Sequence, residues 1–385
     1  MEVFLLILAV VTLAGYLVTG LETTLGSARM HDLDRIEPLS SGFPKVSVVV
    51  PARDEELHIE AALSSVLAQD YPELEVIAVD DRSGDSTGAI LDRMSERSPR
   101  LRVVHIRELP PHWLGKNNAL HQGAAIATGS LILFTDADIV MHPSVLRRAV
   151  AYMEREKLDH LAIPPKAVVP GFLATAFLGM FALLFSLYTK PWKLRDPKHR
   201  AHIGIGAFNL VRASVYRSLG GHSSIALRVD DDMRLGKLIK SRGFVQDLVF
   251  GVNLMKVEWY PSFSAMQRGL TKNFFAAVNF NIAAVSGGVT AQLLFFVWPW
   301  IALFATRGPV RILNALIVLS LCVSFALNAR RLGMSWYWCL SMPIAALVSI
   351  YLLLRSTVLN LWSNGIEWRG TRYSLAELRK AATES

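Results

Sequence analysis

Unbroken apolar runs stand near both ends of this chain, and between them the hydrophobic positions alternate between periods of two and of three to four. The run from Val3 to Val18 carries no charge, and apolar residues dominate again from Phe274 to Leu354. A helix needs about 20 apolar residues to cross a bilayer. The stretch VFLLILAVVTLAGYLVTG after Glu2 therefore predicts a membrane anchor over residues 1–22. Its acidic start and the poor cleavage site Gly26-Ser27-Ala28 argue against a removed signal peptide. Val289–Ala305, Val310–Asn328 and Trp336–Leu354 predict a transmembrane region over residues 274–356, followed by a basic tail over 357–385. Three crossings would place that tail outside. Its Arg355, Arg369, Arg372, Arg379 and Lys380 favour the cytoplasm, so one run is expected to be re-entrant or part of a hairpin.

Residues 44–273 read differently. KVSVVVP, LEVIAVD, LRVVHI and SLILFTD are β-branched or aliphatic runs of strand length. Between them, Glu55–Ala68, Ser86–Ser95 and Lys116–Ala127 place apolar residues at helical spacing. Alternation of this kind predicts an α/β domain with a mostly parallel sheet flanked by helices, whose ligands sit at the carboxyl ends of the strands. One further apolar stretch, Gly171–Tyr188, interrupts the domain. If it crossed the membrane, the acidic clusters on either side of it could not share a site. It is expected to lie in the interface, anchored by Lys190, Trp192, Lys193 and Arg195.

Composition narrows the class. Of 385 residues 52% are hydrophobic, too many for an ordinary soluble enzyme, and the net charge is +8. In a membrane protein such charge sets topology and meets anionic headgroups. No basic helix with interleaved aromatics and no zinc-finger spacing is present, so nucleic acid is not an expected partner. Cys322 and Cys339, the two cysteines, both fall in apolar stretches and read as small buried hydrophobes.

Four polar signals punctuate the α/β region in order: PARDEE at Pro51–Glu56, VDDRSGDST at Val79–Thr87, TDAD at Thr135–Asp138 and VDDD at Val229–Asp232. Asp80 and Asp81 close the second strand, where a carboxylate can accept hydrogen bonds from a base imide and a ribose hydroxyl. In extended chain Asp136 and Asp138 would point the same way. Two carboxylates on one face suit a hard divalent cation, Mg²⁺ or Mn²⁺. Lys116 opens a helix, whose free N–H groups would help it to meet a phosphate. Leu235, Leu238 and Ile239 define a helical face with Asp230–Asp232 at its start.

These motifs, over roughly Lys45–Lys272, resemble the family 2 glycosyltransferases of the GT-A fold. The layout of anchor, catalytic domain and C-terminal spans, with GIEWRGTRYSL near the end, is similar to the membrane branch that glycosylates lipids, among them ceramide glucosyltransferase and the hopanoid-associated and carotenoid-acid enzymes. The resemblance implies that Ala52, Arg53 and Glu55 contact the nucleotide and that Asp80 or Asp81 reads its base. It implies Asp138 as metal ligand, with Asp136 on the metal or the ribose, and Lys116 on a phosphate. The acidic pair three residues before a leucine maps onto Asp231 and Asp232, with Asp232 as general base. Asp54 stands where the family more often has Asn. Gln267 is present without the Arg-Trp pair of processive synthases, which speaks against a polymer synthase; Arg268 and Lys272 are expected to face the diphosphate. The implied function is metal-dependent transfer of a hexose, UDP-linked, to a lipid acceptor with inversion, by a cytoplasmic domain on a bacterial inner membrane. The alternatives are a polyprenyl-phosphate sugar transferase and a catalytically silent nucleotide-sugar-binding partner of another membrane enzyme.

Overall fold

The computed structural model describes residues 2–329, 331, 333–368 and 371–384. The chain divides into two compact units. One comprises Met30–Val168, Lys193–Glu258 and Lys380–Ser385; the other comprises Met1–Arg29, Val169–Trp192 and Trp259–Arg379.

Helix α1 (Glu2–Ala28) precedes the first unit, which runs β1 (His31–Asp32), β2 (Val46–Ala52), α2 (Ile59–Leu67), β3 (Leu74–Asp81), α3 (Thr87–Arg97), β4 (Leu101–Ile106), α4 (Gly115–Ala125), β5 (Leu131–Phe134), β6 (Ile139–Met141), α5 (Val145–Arg155), β7 (His160–Ala162) and β8 (Lys166–Val168). Helix α6 (Gly171–Thr189) intervenes before β9 (Asn209–Arg212), α7 (Ala213–Ser218), α8 (Asp231–Ser241), β10 (Gln246–Phe250) and β11 (Met255–Glu258). Eight strands form one sheet in the order β1-β10-β7-β9-β5-β2-β3-β4. Only β9 runs antiparallel to its neighbours, β5 and β7. Strands β6, β11 and β8 make a second, small sheet.

The central strand β2 is buried along its whole length, as expected of a parallel strand covered on both faces. Val46, Val48 and Val50 pack with Ile59, Leu63 and Leu91 on one face. Val49 packs with Ala119 and Leu120 of α4 on the other. The strand–helix alternation read from the sequence is thus realised, with two corrections. Helix α2 starts at Ile59 rather than Glu55; the segment before it is bonded to the loop after β3 through the Asp54, Glu55 and Glu56 N–H groups. Strand β5 ends at Phe134, so TDAD is a turn between β5 and β6, and the alternation argument for Asp136 and Asp138 does not apply.

The second unit holds α1, α6, α9 (Phe263–Ala277), α10 (Ile282–Gln292), α11 (Trp298–Ala305), α12 (Gly308–Ala329) and α13 (Met342–Trp362), then the hairpin β12 (Gly365–Trp368) and β13 (Thr371–Ser374) and the start of α14 (Leu375–Glu384). A π turn at Leu293–Val297 joins α10 to α11. Among the described residues, five segments are long and apolar enough to cross a membrane: Glu2–Ala28, Gly171–Lys193, Ile282–Ala305, Gly308–Ala329 and Trp336–Trp362. Cys339 is buried and Cys322 half-buried in this unit, both as free thiols. Of the WRGTRY stretch, Arg369 and Gly370 lie outside the described residues.

Candidate active site

The loops after β2 and β3 are zipped together. Asp54 adopts a left-handed φ of 53°, which Asp tolerates better than most residues. Its Oδ1 accepts the Gly84 N–H at 2.7 Å, and its own N–H donates to Ser83 Oγ at 3.1 Å. The Glu55 N–H donates to Thr87 Oγ1 at 2.8 Å, and Glu56 Oε2 accepts the Ser86 N–H at 3.0 Å. Asp54 and Glu56 are therefore occupied in building the loop.

The two aspartates ending β3 diverge. Asp80 accepts the Ser83 N–H at 3.2 Å and meets His105 Nδ1 at 2.9 Å. The far nitrogen of His105 meets Asp92 Oδ1 at 2.9 Å, and the two carboxylates raise the imidazole above its ordinary pKa. Asp81 points to the opposite face. Its oxygens meet Arg82 Nε at 2.8 Å and Arg53 Nη1 at 3.8 Å. A methyl group on Gly115, the first residue of α4, would come within 2.2 Å of Asp81 Oδ2. Asp81 thus shares a face with the start of α4, and Asp80 does not.

Lys116, next in α4, bridges two distant segments. Its Nζ lies 2.8 Å from Asp136 Oδ1 and 3.7 Å from Asp231 Oδ2. Burial alone would lower this amine, but Asp136, Asp231 and Asp232 outweigh it and hold the charge above the usual lysine range. Gly206 ties the same segments through its backbone. Its carbonyl accepts the Asp136 N–H at 3.1 Å, and its N–H donates to Asp232 Oδ2 at 2.8 Å. Asp231 is pushed up to about 7 by burial, against the pull of Lys116. Asp232 is raised for the same first reason. Asp138 is pushed up to about 7 by burial, with Asp136 and Glu55 adding their charge. Asp230, by contrast, faces Arg228 at 3.0 Å and Arg234 at 2.8 Å, and does not cap α8.

One unit thus brings together Ala52 and Arg53 at the end of β2, Glu55, Asp81, Lys116, Asp136, Asp138, Asp231 and Asp232. Arg268 and Lys272 are on α9 in the other unit, where Arg268 Nη1 donates to Ser264 Oγ at 2.7 Å. Among the described residues no three or more His, Cys, Asp or Glu side chains form a ready metal cage. Sequence reasoning missed Arg82, His105 and Asn117. His222 is buried, bonded at 2.8 Å through Nδ1 to Tyr216 Oη, and burial pushes it down to about 3.

Comparison with known proteins agrees with this geometry. Residues 47–220 match the model of the Glycosyl transferase family 2. A 4,4'-diaponeurosporenoate glycosyltransferase of Staphylococcus aureus (strain USA300) is 23% identical over 366 residues, covering 91% of this chain and 93% of that protein. The mannosyltransferase PcManGT from Pyrobaculum calidifontis, solved in complex with GDP-Man and Mn²⁺, superposes with a TM-score of 0.54 at 21% identity, over 93% of this chain and 99% of its own. Sheet order, acidic loops and family match agree that residues 47–220 form a glycosyltransferase domain of family 2, in a chain with the GT-A fold.

Proposed function

We propose that this glycosyltransferase moves a hexose from a nucleotide-sugar, UDP-linked in our reading, to a lipid acceptor with inversion, at the cytoplasmic face of a bacterial membrane. The observation that carries the reading is the cluster in which Lys116 and Gly206 join the turn after β5 to the start of α8. It gathers the carboxylates a donor diphosphate and an acceptor need within reach of one another. Asp81, on the α4 face, is the candidate for the base; Asp80 is committed to its own loop and to His105. Asp138 and Asp136, with Glu55 beside them, offer oxygen ligands to a divalent cation; burial raises Asp138, and the charges of Asp136 and Glu55 add to it. They would hold Mg²⁺ or Mn²⁺, whose chemistry is to neutralise charge on the departing diphosphate. Lys116 sits beside the same position and supplies a fixed positive charge.

Asp232 takes the proton of the acceptor hydroxyl as its oxygen attacks the anomeric carbon. Burial raises Asp232 above the usual carboxylate range, which makes it the stronger proton acceptor. Lys190 pairs with Glu22 at 3.5 Å, and Arg195 pairs with Glu156 at 2.8 Å and Asp247 at 2.6 Å. The cations that a polyprenyl-phosphate acceptor would want are already engaged, which favours a lipid acceptor without a phosphate. The name of the Staphylococcus aureus relative supports an apolar acceptor, and the GDP-Man and Mn²⁺ of the fold neighbour support the donor class and the cation.

Contacts inside the apolar unit support three crossings. Gly20 approaches Ser324 and Arg331 donates to the Ser27 carbonyl, so α1 and α12 run side by side in the same direction. Helices α10–α11 lead to α12 through Thr306 and Arg307, and Tyr16 Oη donates to the Phe295 carbonyl at 2.8 Å. Helix α13 descends again: Leu353 lies against Gly288, and Ser356 and Asn360 donate to the Thr271 carbonyl of α9. We read Trp336–Trp362 as re-entrant, with the tail on the side of the membrane where α1 ends. Helix α6 fits the interface: its two ends continue into strands β8 and β9 of one unit.

The test is incubation of purified protein with radiolabelled UDP-glucose and GDP-mannose, host lipid extract and Mn²⁺, with and without EDTA. Labelled lipid that disappears with EDTA and with Asp138→Ala is expected. Labelled lipid formed equally well by Asp138→Ala would overturn the cation assignment, and its absence with every donor would overturn the transferase-to-lipid reading.

A further inference from the structure

Asn117 follows Lys116 in α4 and is fully buried. Its side-chain amide nitrogen lies 2.9 Å from the Ile225 carbonyl, 3.0 Å from that of Ala226 and 2.9 Å from that of Arg228. Three carbonyls around one atom identify it as the nitrogen. The backbone of the same turn adds a fourth bond, from the Leu114 N–H to the Ala226 carbonyl at 2.9 Å. Two residues after Arg228 the chain reaches Asp230, which is gripped by Arg228 and Arg234, and α8 begins with Asp231 and Asp232. The first turn of α4 therefore holds the lead-in to the base helix by one residue and its acidic pair by the preceding one. Asn117 Oδ1 has no hydrogen-bond partner among the described residues. The amide is held through its donors alone, at the cost of a buried acceptor.

We propose that Asn117 is a positioning residue for the general base, acting through the Ile225–Arg228 backbone to set where Asp231 and Asp232 stand relative to Asp136. This rests on the reading of Asp232 as base. A residue that merely stabilised the fold would lower melting temperature and add its effect to that of any other change. A positioning residue loses its effect once the group it positions is gone.

Two variants test this, Asn117→Ala and Asn117→Asp, the second setting a carboxylate against three carbonyls. With UDP-glucose or GDP-mannose and host lipid extract, kcat should fall at least tenfold while the affinity for UDP or GDP with Mn²⁺ stays within twofold. Combined with Asp232→Asn, neither variant should lower the residual rate further. Backbone hydrogen exchange gives a readout independent of substrate: residues 225–234 should exchange at least tenfold faster in Asn117→Ala, with β3 and β4 unchanged. Unchanged exchange at 225–234, or a full additive loss in the double variant, overturns the proposal. Should Asp232→Asn leave transfer intact while 225–234 still loosens, the base assignment fails and the tether stands.

Discussion

Asp232 serves as a base only for an acceptor that still carries its proton. A hydroxyl acceptor needs it, whereas a carboxylic acid is already ionised at neutral pH and attacks unaided. Asp232→Asn should therefore lower transfer to hydroxyl lipids by about 10²–10⁴ and leave transfer to a carboxylate lipid within a few-fold. Product counts from the two acceptor classes decide this, and equal losses would make Asp232 a binding group instead. His160 poses a separate question, one of stability. It is buried without exposure, its Nε2 bonded to the Asn209 side-chain oxygen, and burial pushes its pKa from 6.5 down to about 4. The unfolded chain takes up the proton first, so the stabilisation is whole above pH 6.5 and is lost as pH falls toward 4. At about 1.4 kcal/mol per pKa unit, roughly 3 kcal/mol is at stake. His222, lowered further, acts in the same sense. The melting temperature of the detergent-solubilised protein should drop between pH 7.5 and pH 5 (about the range in which free histidine titrates), and His160→Gln should flatten the slope. A slope unchanged in that variant would assign the acid sensitivity elsewhere.

At the scale of elements, three meet on Gly206: the end of β5, the approach to β9 and the start of α8. A methyl there would lie 2.7 Å from Asp136 Oδ2 and 3.3 Å from Lys116 Nζ. Gly206→Ala should displace that ion pair and cost at least about tenfold in kcat, or roughly 1.4 kcal/mol of barrier. Its melting temperature should move little, since the strain falls on side-chain ends and not on the core. A melting shift in proportion to the lost rate would make the glycine a packing residue. Strands β2, β3 and β5 were legible because each is a buried aliphatic run that a parallel sheet covers on both faces; the edge strand β4, buried only at Leu101 and Ile106, was legible from its β-branched centre. Strands β6 to β11 are mostly three to five residues long and were not assigned. β9 pairs with β5 through Leu131–Arg212 and Phe134–Asn209, partners so distant in sequence that no local pattern announces them. The acidic motifs were legible by residue type and order, but the conformation of TDAD was not. Asp136 and Asp138 come together through a turn, not through strand alternation. His105 and Asn117 were invisible because their partners are a carboxylate 25 residues away and carbonyls 108 to 111 residues away.

For the whole molecule, the question is how many times the apolar unit crosses the bilayer. Five segments qualify by composition, and five crossings would leave the acidic clusters on opposite faces. Packing separates the candidates. The window in Trp336–Trp362 is 56% buried within the protein, against 11% for Glu2–Ala28 and 22% for Ile282–Ala305 and Gly308–Ala329. A helix meeting lipid on most sides should resemble the latter three. The buried Ser349, Ser356, Thr357 and Asn360 of α13 are polar groups that suit a shielded segment better than a lipid-facing one. With α1, α10–α11 and α12 as the crossings, Arg307 and Arg311 fall outside, while Arg29, Arg331, Arg355, Arg372 and Arg379 fall inside, as positive-inside bias favours. Single cysteines in a Cys322→Ala, Cys339→Ala background test this in cells. A membrane-impermeant maleimide should label Arg307→Cys in intact spheroplasts, and Ala376→Cys and Glu96→Cys only after permeabilisation. Labelling of Ala376→Cys in intact cells would mean that α13 crosses, placing the tail opposite the catalytic unit and removing the re-entrant segment from the architecture. Labelling of Glu96→Cys would reverse the orientation altogether and put the donor site on the face where nucleotide-sugars are not made.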